Sequence, residues 1–401
     1  MQTRIDPSYQ STRDGQRAEK ILRSCVHCGF CTATCPTYQL SGDELDSPRG
    51  RIYLIKQMLE GQPVSAKTQL HLDRCLHCQS CETTCPSGVN YSQLLEIGHR
   101  LVNEKIERPL LSRLYRHLLC AVLPYRQRFA FVLNFARLFR FLLPAELKRR
   151  IPDAAGHQPW ADKTLPRKML VLDGCVQPSL RPHINAATSR VLEKLGIQLI
   201  PMPQARCCGA IHQHMDRATD ARAFIRQNID AWYPLIASAE AEAIVITASG
   251  CGAMVKDYAR LLHDDPAYAE KAETISRACK DISEVLQNEN LEKLNLVPQT
   301  VSFHSPCTLQ HAQKLNGVVE GILRRAGFRL NTLNDAHLCC GSAGTYSLLQ
   351  PEISQQLRQN KLQSLEQDSP PIIATANIGC LHHLASGTRT KVVHWIELLD
   401  Q

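Results

Sequence analysis

Apolar positions along the chain follow two different rhythms. Up to about residue 107 they recur at helical spacing. Residues 1–24 form a polar lead-in that ends in a short helix, to which Ile21 and Leu22 bring the apolar surface. In SPRGRIYLIKQMLEG, Ile52, Leu54, Ile55, Met58 and Leu59 predict a helix that Gly61 and Pro63 stop. Residues 91–107 continue as another. From Arg167 onward the rhythm changes to short apolar runs: MLVLDGC, QLIPM and AIVITASGC, then VSFHSPC, FRLNTL and PIIATANIGC. Helical stretches lie near them at 183–195, 217–238, 312–326 and 351–366. Strands alternating with helices predict parallel α/β architecture. The second set repeats the first after about 132 residues, from Cys175 to Cys307. The expected fold is therefore α+β overall, with a helical first part followed by a duplicated α/β part. Pro152, Gly156, Pro159 and Pro166 mark a linker over residues 151–166.

Between the two parts lies a stretch that is apolar and basic at once, Leu110 to Leu143, broken by Pro124. On a helical projection Phe131, Val132, Phe135, Leu138, Phe139 and Leu142 share one face, while Arg126, Arg137 and Arg140 lie opposite and Arg128 breaks the pattern. Its uncharged runs, His117 to Tyr125 and Phe129 to Ala136, fall far short of the ~20 residues a transmembrane helix needs. An interfacial helix with arginines at the lipid headgroups fits the pattern. So does a helix packed on its own domain or on a partner subunit.

Charge sharpens this. Of the formal net charge of +8, residues 100–150 carry twelve Lys or Arg against Glu104, Glu107 and Glu146, a local +9. The rest is nearly neutral. One basic surface with an acidic partner, anionic lipid or a subunit, is expected, and not a nucleic-acid-binding face over the whole molecule. At 401 residues, 44% hydrophobic and 21% charged, the chain has the composition of a soluble protein of two or three domains. Its 18 cysteines are the anomaly. The polar N-terminus MQTRIDPSYQSTRDGQ has no apolar core of a secretory signal, so a cytosolic location is expected, where cysteines serve as metal ligands more often than as disulfides.

Eight of them form two copies of C-x2-C-x2-C-x3-C-P: Cys25, Cys28, Cys31, Cys35 and Pro36, then Cys75, Cys78, Cys81, Cys85 and Pro86. Steps of three residues let three soft thiolates converge on one iron–sulfur cluster from a short turn. Structural zinc would more often use two pairs separated by a loop. In bacterial two-cluster ferredoxins the fourth cysteine of each run ligates the other cluster. That assigns Cys25, Cys28, Cys31 and Cys85 to one [4Fe-4S] cluster, and Cys75, Cys78, Cys81 and Cys35 to the second. His27 and His77 recur at the same place in RSCVHCGFCTATCP and DRCLHCQSCETTCP, and are expected around the clusters or at the surface, not as ligands.

Eight more cysteines follow the α/β repeat. Cys175 precedes Cys207-Cys208-Gly209 as Cys307 precedes Cys339-Cys340-Gly341, and the halves close with Gly250-Cys251 and Gly379-Cys380. All sit at strand ends or in glycine-containing turns, where open α/β sheets place ligands. The lone Cys120 and Cys279 read as small buried residues.

The two cysteine runs followed by two CCG repeats resemble the iron–sulfur subunits of glycolate oxidase and its relatives: lactate-utilisation proteins, anaerobic glycerol-3-phosphate dehydrogenase and heterodisulfide reductase. The single-chain layout and the SPRGR stretch, Ser47 to Arg51, are most similar to the glycolate oxidase subunit. The resemblance divides the chain into a two-[4Fe-4S] ferredoxin-type domain at 1–108, the basic amphipathic segment and linker at 109–166, and cysteine-rich (CCG) domains at 167–290 and 291–401. One departure stands out. Where the heterodisulfide reductase motif ends in C-x2-C, this chain has Ala248 and Asn377 at the first position, so each half keeps four of five cysteines. Cys175, Cys207, Cys208 and Cys251, and Cys307, Cys339, Cys340 and Cys380, are left to hold a further cluster or zinc, or to remain free thiols.

With no G-x-G-x-x-G and no P-loop, nothing suggests that the chain itself binds a flavin or dinucleotide. Oxidising a 2-hydroxy acid removes two electrons, which flavin accepts, whereas a four-iron cluster moves one. The resemblance thus implies an electron-relay subunit with no catalytic residue of its own. It would carry electrons from an FAD-binding flavoprotein that oxidises glycolate to glyoxylate toward a membrane quinone, peripherally on the cytoplasmic face of the inner membrane. The alternatives are the matching subunit of a lactate or glycerol-3-phosphate dehydrogenase, and a thiol–disulfide enzyme using Cys207-Cys208 or Cys339-Cys340.

Overall fold

The computed structural model describes residues 1–142, 144, 148, 151–154, 156 and 158–401. Leu143, Glu146, Arg149 and Arg150 of the basic segment and Ala155 and His157 of the linker fall outside the described residues. The chain forms two compact units, Met1–Arg116 with His337–Lys361 and His117–Ala336 with Leu362–Gln401.

The first unit is helical, as its apolar rhythm predicts. Helix α1, Arg13–Ser24, starts where the Thr12 side chain accepts from the Gly15 amide at 3.0 Å. Helix α2, Pro48–Leu59, is set by Ser47, whose hydroxyl accepts from the Gly50 amide at 2.9 Å, with Pro48 in the first turn. Helices α3, Ala66–Asp73, and α4, Tyr91–Lys105, complete the frame. Leu22, Ile55, Leu59, Leu72, Leu94, Leu95 and Val102 are buried among them. Gly98 allows α4 to come close: a Cβ there would lie 2.7 Å from the Ile55 side chain. The cysteine runs occupy the turns that this frame holds.

Helices α5, Leu110–Val122, and α6, Arg126–Leu138, follow, broken between Val122 and Arg126 as Pro124 predicts. Phe131, Val132, Phe135 and Leu138 of α6 face solvent, Phe131 at 73% exposure, and so do Phe139 and Leu142 just beyond it. The arginines of this segment also bond protein groups, Arg126 with its side chain still 56% exposed. Arg126 bonds Asp173 at 3.0 Å, Arg137 bonds the Pro152 and Ser179 carbonyls, and Arg140 bonds Asp153, all within the same unit. The apolar face is not packed on its own domain. Among the described residues, no helix is long and apolar enough to cross a membrane.

The second unit carries two four-stranded sheets of the same design. The first has β1, Arg167–Val171, β2, Ile197–Pro201, β3, Ile244–Ile246, and β4, Cys279–Asp281, in the order β2-β1-β3-β4. The second has β5, Thr300–His304, β6, Arg329–Leu330, β7, Ile372–Thr375, and β8, Lys391–His394, in the order β6-β5-β7-β8. All pairings are parallel. Leu170, Val171, Ile244, Val245 and Ile373 are buried, as continuous apolar runs require in a sheet covered on both faces. The main helices are α7, His183–Lys194, α8, Ala218–Ala237, α9, Ser249–Lys256, α10, Ala269–Ala278, α11, Val318–Arg325, and, after α12, Pro351–Glu366, which lies mostly in the 337–361 segment of the first unit, α13, Ile378–Ala385.

Two details depart from the sequence reading. Strands β4 and β8 extend each sheet at the end of its half, and CKD and KVVH are too short and too charged to announce them. The stretch expected as a helix over 312–326 is a π-helical turn at Thr308–Ala312, then α11, which begins only after Gly317 at φ +77°.

Candidate metal centres

The two cysteine runs of the first unit fold alike. His27 and His77, at the same place in each, take left-handed backbone angles of φ 58° and 52°, and Gly29 and Gln79 two residues on do the same. This backbone turns each C-x2-C toward a cavity, with Cys25 and Cys75 buried, Cys78 half-buried and Cys28 exposed at the edge. One cavity has Cys25, Cys28, Cys31, Cys81 and Cys85 in its wall, with His27 and Arg49. A second has Cys35, Cys75, Cys78 and Cys81, with His77, Thr37 and Arg51. Pro48, Cys81 and Tyr91 line both. Each cavity therefore brings three thiols of one run together with the last thiol of the other. Burial, with the nearby Cys25, pushes the Cys31 thiol up to about 11, and burial pushes Cys75 and Cys81 up as well. Unmetallated, these groups stay protonated at neutral pH; bound iron would take them as thiolates. The donor set and its count fit four-iron clusters.

Behind the second cavity lies a buried ionic group. Asp46 accepts from His71 at 2.9 Å and Arg74 at 3.0 Å, and Arg51 stands 3.6 Å away with its side chain 1% exposed. Asp43, Asp46 and His71 bring ligand atoms within 4.8 Å of one another. They are no metal site, because two guanidinium groups already claim the Asp46 carboxylate. Thr37 Oγ1 lies 3.3 Å from Cys35 Sγ, and the Tyr91 hydroxyl donates to Cys75 Sγ at 3.7 Å. Thr37, Arg51 and Tyr91 were not singled out by spacing: nothing in a lone Thr, Arg or Tyr announces that it will sit beside a thiolate. His77 stacks on His99 at 5.6 Å.

In the second unit the first half assembles four thiols from separate elements. Cys175 follows β1, Cys207 and Cys208 follow β2, and Cys251 lies in the first turn of α9, after β3. The Cys207 thiol hydrogen-bonds with Cys175 and Cys208, and Cys208 with Cys251. The bonds from Cys207 and Cys251, with the Ala210 amide, favour a thiolate at Cys208, while these neighbours and burial push the Cys207 and Cys251 thiols up. The turn itself is fixed by residues far away in sequence. Asn228 donates to the Cys207 carbonyl at 3.0 Å, and the Tyr258 hydroxyl to the Cys208 carbonyl at 2.8 Å. Gly209, at φ 93°, completes it. A buried Asn within the apolar face of α8 is the signal that could have found this support. Four converging thiols suit a metal or a cluster.

For the second half, Cys307 follows β5 and Cys380 lies in α13, both buried in the second unit. Cys339 and Cys340 are buried in the 337–361 segment of the first unit, where Gly341 at φ 87° leaves no room for a Cβ, 2.6 Å from the Ser354 carbonyl. At the position of the absent fifth cysteine, Asn377 caps α13, accepting from the Gly379 amide at 2.8 Å and donating to Ser249 Oγ at 3.1 Å. Ala248 is the corresponding cap residue of α9. Cys120 and Cys279 are buried, Cys279 on β4.

Comparison with known proteins matches this layout. The model of a 4Fe-4S dicluster domain covers residues 21–89, and that of a cysteine-rich domain covers 169–256 and 301–385. The glycolate oxidase iron-sulfur subunit of Escherichia coli (strain K12) is 52% identical over 403 residues, spanning 100% of this chain and 99% of its own. The chain belongs to the glycolate oxidase iron–sulfur subunit family. The probable glycolate oxidase iron-sulfur subunit of Bacillus subtilis (strain 168) is 29% identical over 95% of the chain and 94% of its own length. Lactate utilization protein A of Bacillus velezensis is 28% identical over 56% of the chain. Like its family, the chain is an iron–sulfur protein for electron transfer, with a ferredoxin-type domain ahead of two cysteine-rich domains.

Proposed function

We propose that this chain is the electron-relay subunit of a glycolate-oxidising complex. A flavoprotein partner removes two electrons and two protons from glycolate to give glyoxylate. The electrons pass singly into this chain, and from it to a quinone that takes up two electrons and two protons to become quinol. In this reading Cys25, Cys28, Cys31 and Cys85 hold one [4Fe-4S] cluster, and Cys75, Cys78, Cys81 and Cys35 the other. The observation that carries it is the pair of thiol-lined cavities with Pro48, Cys81 and Tyr91 in common, which puts two one-electron sites side by side. The protein's own contribution is to hold the thiols, exclude water with Ile52, Val89 and Leu95, and supply the charges around them. Clusters supply one-electron chemistry; no residue here touches glycolate.

The four linked thiols of Cys175, Cys207, Cys208 and Cys251 support a further metal or cluster in the second unit. The solvent-facing Phe131, Phe135 and Leu138 support peripheral attachment to the cytoplasmic face of the inner membrane. The glycolate assignment follows the relative that is 52% identical over its full length.

The test is purification from a native membrane extract. The chain is expected to come with a flavoprotein and to support glycolate-dependent quinone reduction, at least 100-fold faster than Cys28→Ser or Cys78→Ser chains. A chain without a flavoprotein, or one whose variants reduce quinone equally well, would sink the proposal. Lactate or glycerol 3-phosphate as the better donor would move it to a sister enzyme.

A further inference from the structure

The stretch Ser47–Arg51 sends its two arginines to different cavities. Arg49 lines the one that holds Cys28, and Arg51 the one that holds Cys78. Gly50 between them packs so closely that a Cβ would stand 2.0 Å from the Glu44 carbonyl oxygen, which fixes where both neighbours point.

The two guanidinium groups meet opposite surroundings. Arg49 is one-third exposed and pairs with Glu44 at 2.7 Å, so its charge is matched one to one and screened by water. Arg51 is buried. It donates to the neutral His71 carbonyl at 2.7 Å and to the Thr37 hydroxyl at 3.1 Å. Its carboxylate neighbour, Asp46, is 3.6 Å away and is bonded by Arg74 at 3.0 Å. Two guanidinium groups therefore share one carboxylate, which leaves net positive charge beside Cys35 and Cys75. Two hydroxyls add to it. Tyr91 donates to Cys75 Sγ, and Thr37 Oγ1 lies 3.3 Å from Cys35 Sγ; once Cys35 is a thiolate, the hydroxyl is the member of that pair able to donate.

We propose that Arg51 makes the site of Cys35, Cys75, Cys78 and Cys81 the higher-potential one of the two, so that an electron entering the chain comes to rest there. The inference rests on the ligand sets proposed above. An electron passing from a reduced flavin to this site adds one negative charge to it; no bond forms or breaks, and the flavin proton stays with the donor or solvent. Arg51 stabilises that added charge from a fixed position in a low-dielectric interior, where potentials follow net charge, hydrogen bonds and exposure. At Arg49 the same effect is cancelled by Glu44 and by water. Arg51 is thus a positioning and tuning residue that is not itself a ligand.

The experiment is a redox titration of the anaerobically purified full chain followed by electron paramagnetic resonance, with Cys28→Ser and Cys78→Ser identifying which signal belongs to which site. In the wild type the signal altered by Cys78→Ser is expected to titrate at the higher potential. Arg51→Met should lower that midpoint by at least a tenfold change in the one-electron equilibrium, about 59 mV, and leave the other signal in place. Arg51→Lys should recover most of the loss, and Arg49→Met should move neither signal by that much. If Arg51→Met sheds iron, Arg74→Met is read instead: it leaves Asp46 to neutralise Arg51 and should lower the same midpoint by a smaller step. A reversed order in the wild type, or an unmoved midpoint in Arg51→Met or Arg74→Met with both signals retained, overturns the role of Arg51. A wild-type chain without two four-iron signals overturns the ligand sets, and this inference with them.

Discussion

The two thiol-rich regions gather their thiols by opposite routes. In the first unit each set of three thiols comes from one seven-residue turn, and only the fourth crosses from the other run. In the first half of the second unit, Cys175, Cys207, Cys208 and Cys251 come from the ends of three strands, brought together by the order β2-β1-β3-β4. The first arrangement is local and needs little beyond a framework of helices. The second exists only if the sheet forms, so the thiols depend on a fold whose core lies elsewhere. Supporting residues differ in what they hold: beside the turns Thr37 and Tyr91 reach the thiols themselves, whereas at the strand ends Asn228 and Tyr258 bond the Cys207 and Cys208 carbonyls and so hold the backbone.

The strongest test of that contrast is Cys208→Ala. It removes the thiol that lies between Cys207 and Cys251, and should abolish metal binding by Cys175, Cys207, Cys208 and Cys251. Both four-iron signals of the first unit should stay at wild-type intensity. Metal analysis beside resonance spectroscopy reads both; a variant with wild-type metal content would show that these four thiols hold none, and loss of the four-iron signals would show that the sites are not independent. Next in size is Gly50→Ala. Its Cβ meets the backbone of Glu44, which cannot swing aside as a side chain would. A cost of about 1–3 kcal/mol is expected from overpacking of this kind. Because Pro48 lines both cavities, both clusters should be lost together on warming, several degrees earlier than in the wild type. Sequential loss, with one signal unchanged, would argue that the turns hold their clusters without the helix.

The same contrast explains what was legible in the sequence. The run C-x2-C-x2-C-x3-C-P states its own chemistry because its ligands are neighbours, and the helical rhythm of residues 47–59 needs only local order. The repeat of Cys, CCG and Gly-Cys was readable as a pattern. That Cys175, Cys207, Cys208 and Cys251 meet was not, since it depends on strand order. Strands β4 and β8 were invisible because three or four residues carry no period, and pairing along the sheet edge decides them. The stripe on α6 is legible from spacing alone, whereas the bonds its arginines make are not. Asp173 and the Pro152 and Ser179 carbonyls, which bind Arg126 and Arg137, are brought to them by folding alone.

A smaller effect probes the fold-dependent region through a residue that is not a cysteine. His394, at the end of β8, is fully buried, and burial pushes its ring down to about 4 from an ordinary 6.5. Nε2–H donates to the Thr247 carbonyl at 2.8 Å, tying the end of β8 to the residue after β3, while Nδ1 accepts from the Ile396 amide at 3.3 Å. Only the neutral ring can do both. Glu397 and His183, 3.1 Å apart, face the same place, and the carboxylate favours protonation of His394 without overcoming burial. The folded value lies below the unfolded one, so the unfolded chain takes up the proton first. Stability is complete above pH 6.5 and falls as pH drops toward 4, at up to about 1.4 kcal/mol per pH unit. His394→Asn keeps an acceptor for the cap but cannot titrate in this range. Urea midpoints read by tryptophan emission, with Trp395 adjacent, should fall less steeply between pH 6.5 and 5 in the variant, by on the order of 1 kcal/mol in total. Equal slopes in the two proteins would mean that the tie between the sheets survives a charged ring, and that the second unit is held less strictly by its core than the convergence of its thiols implies.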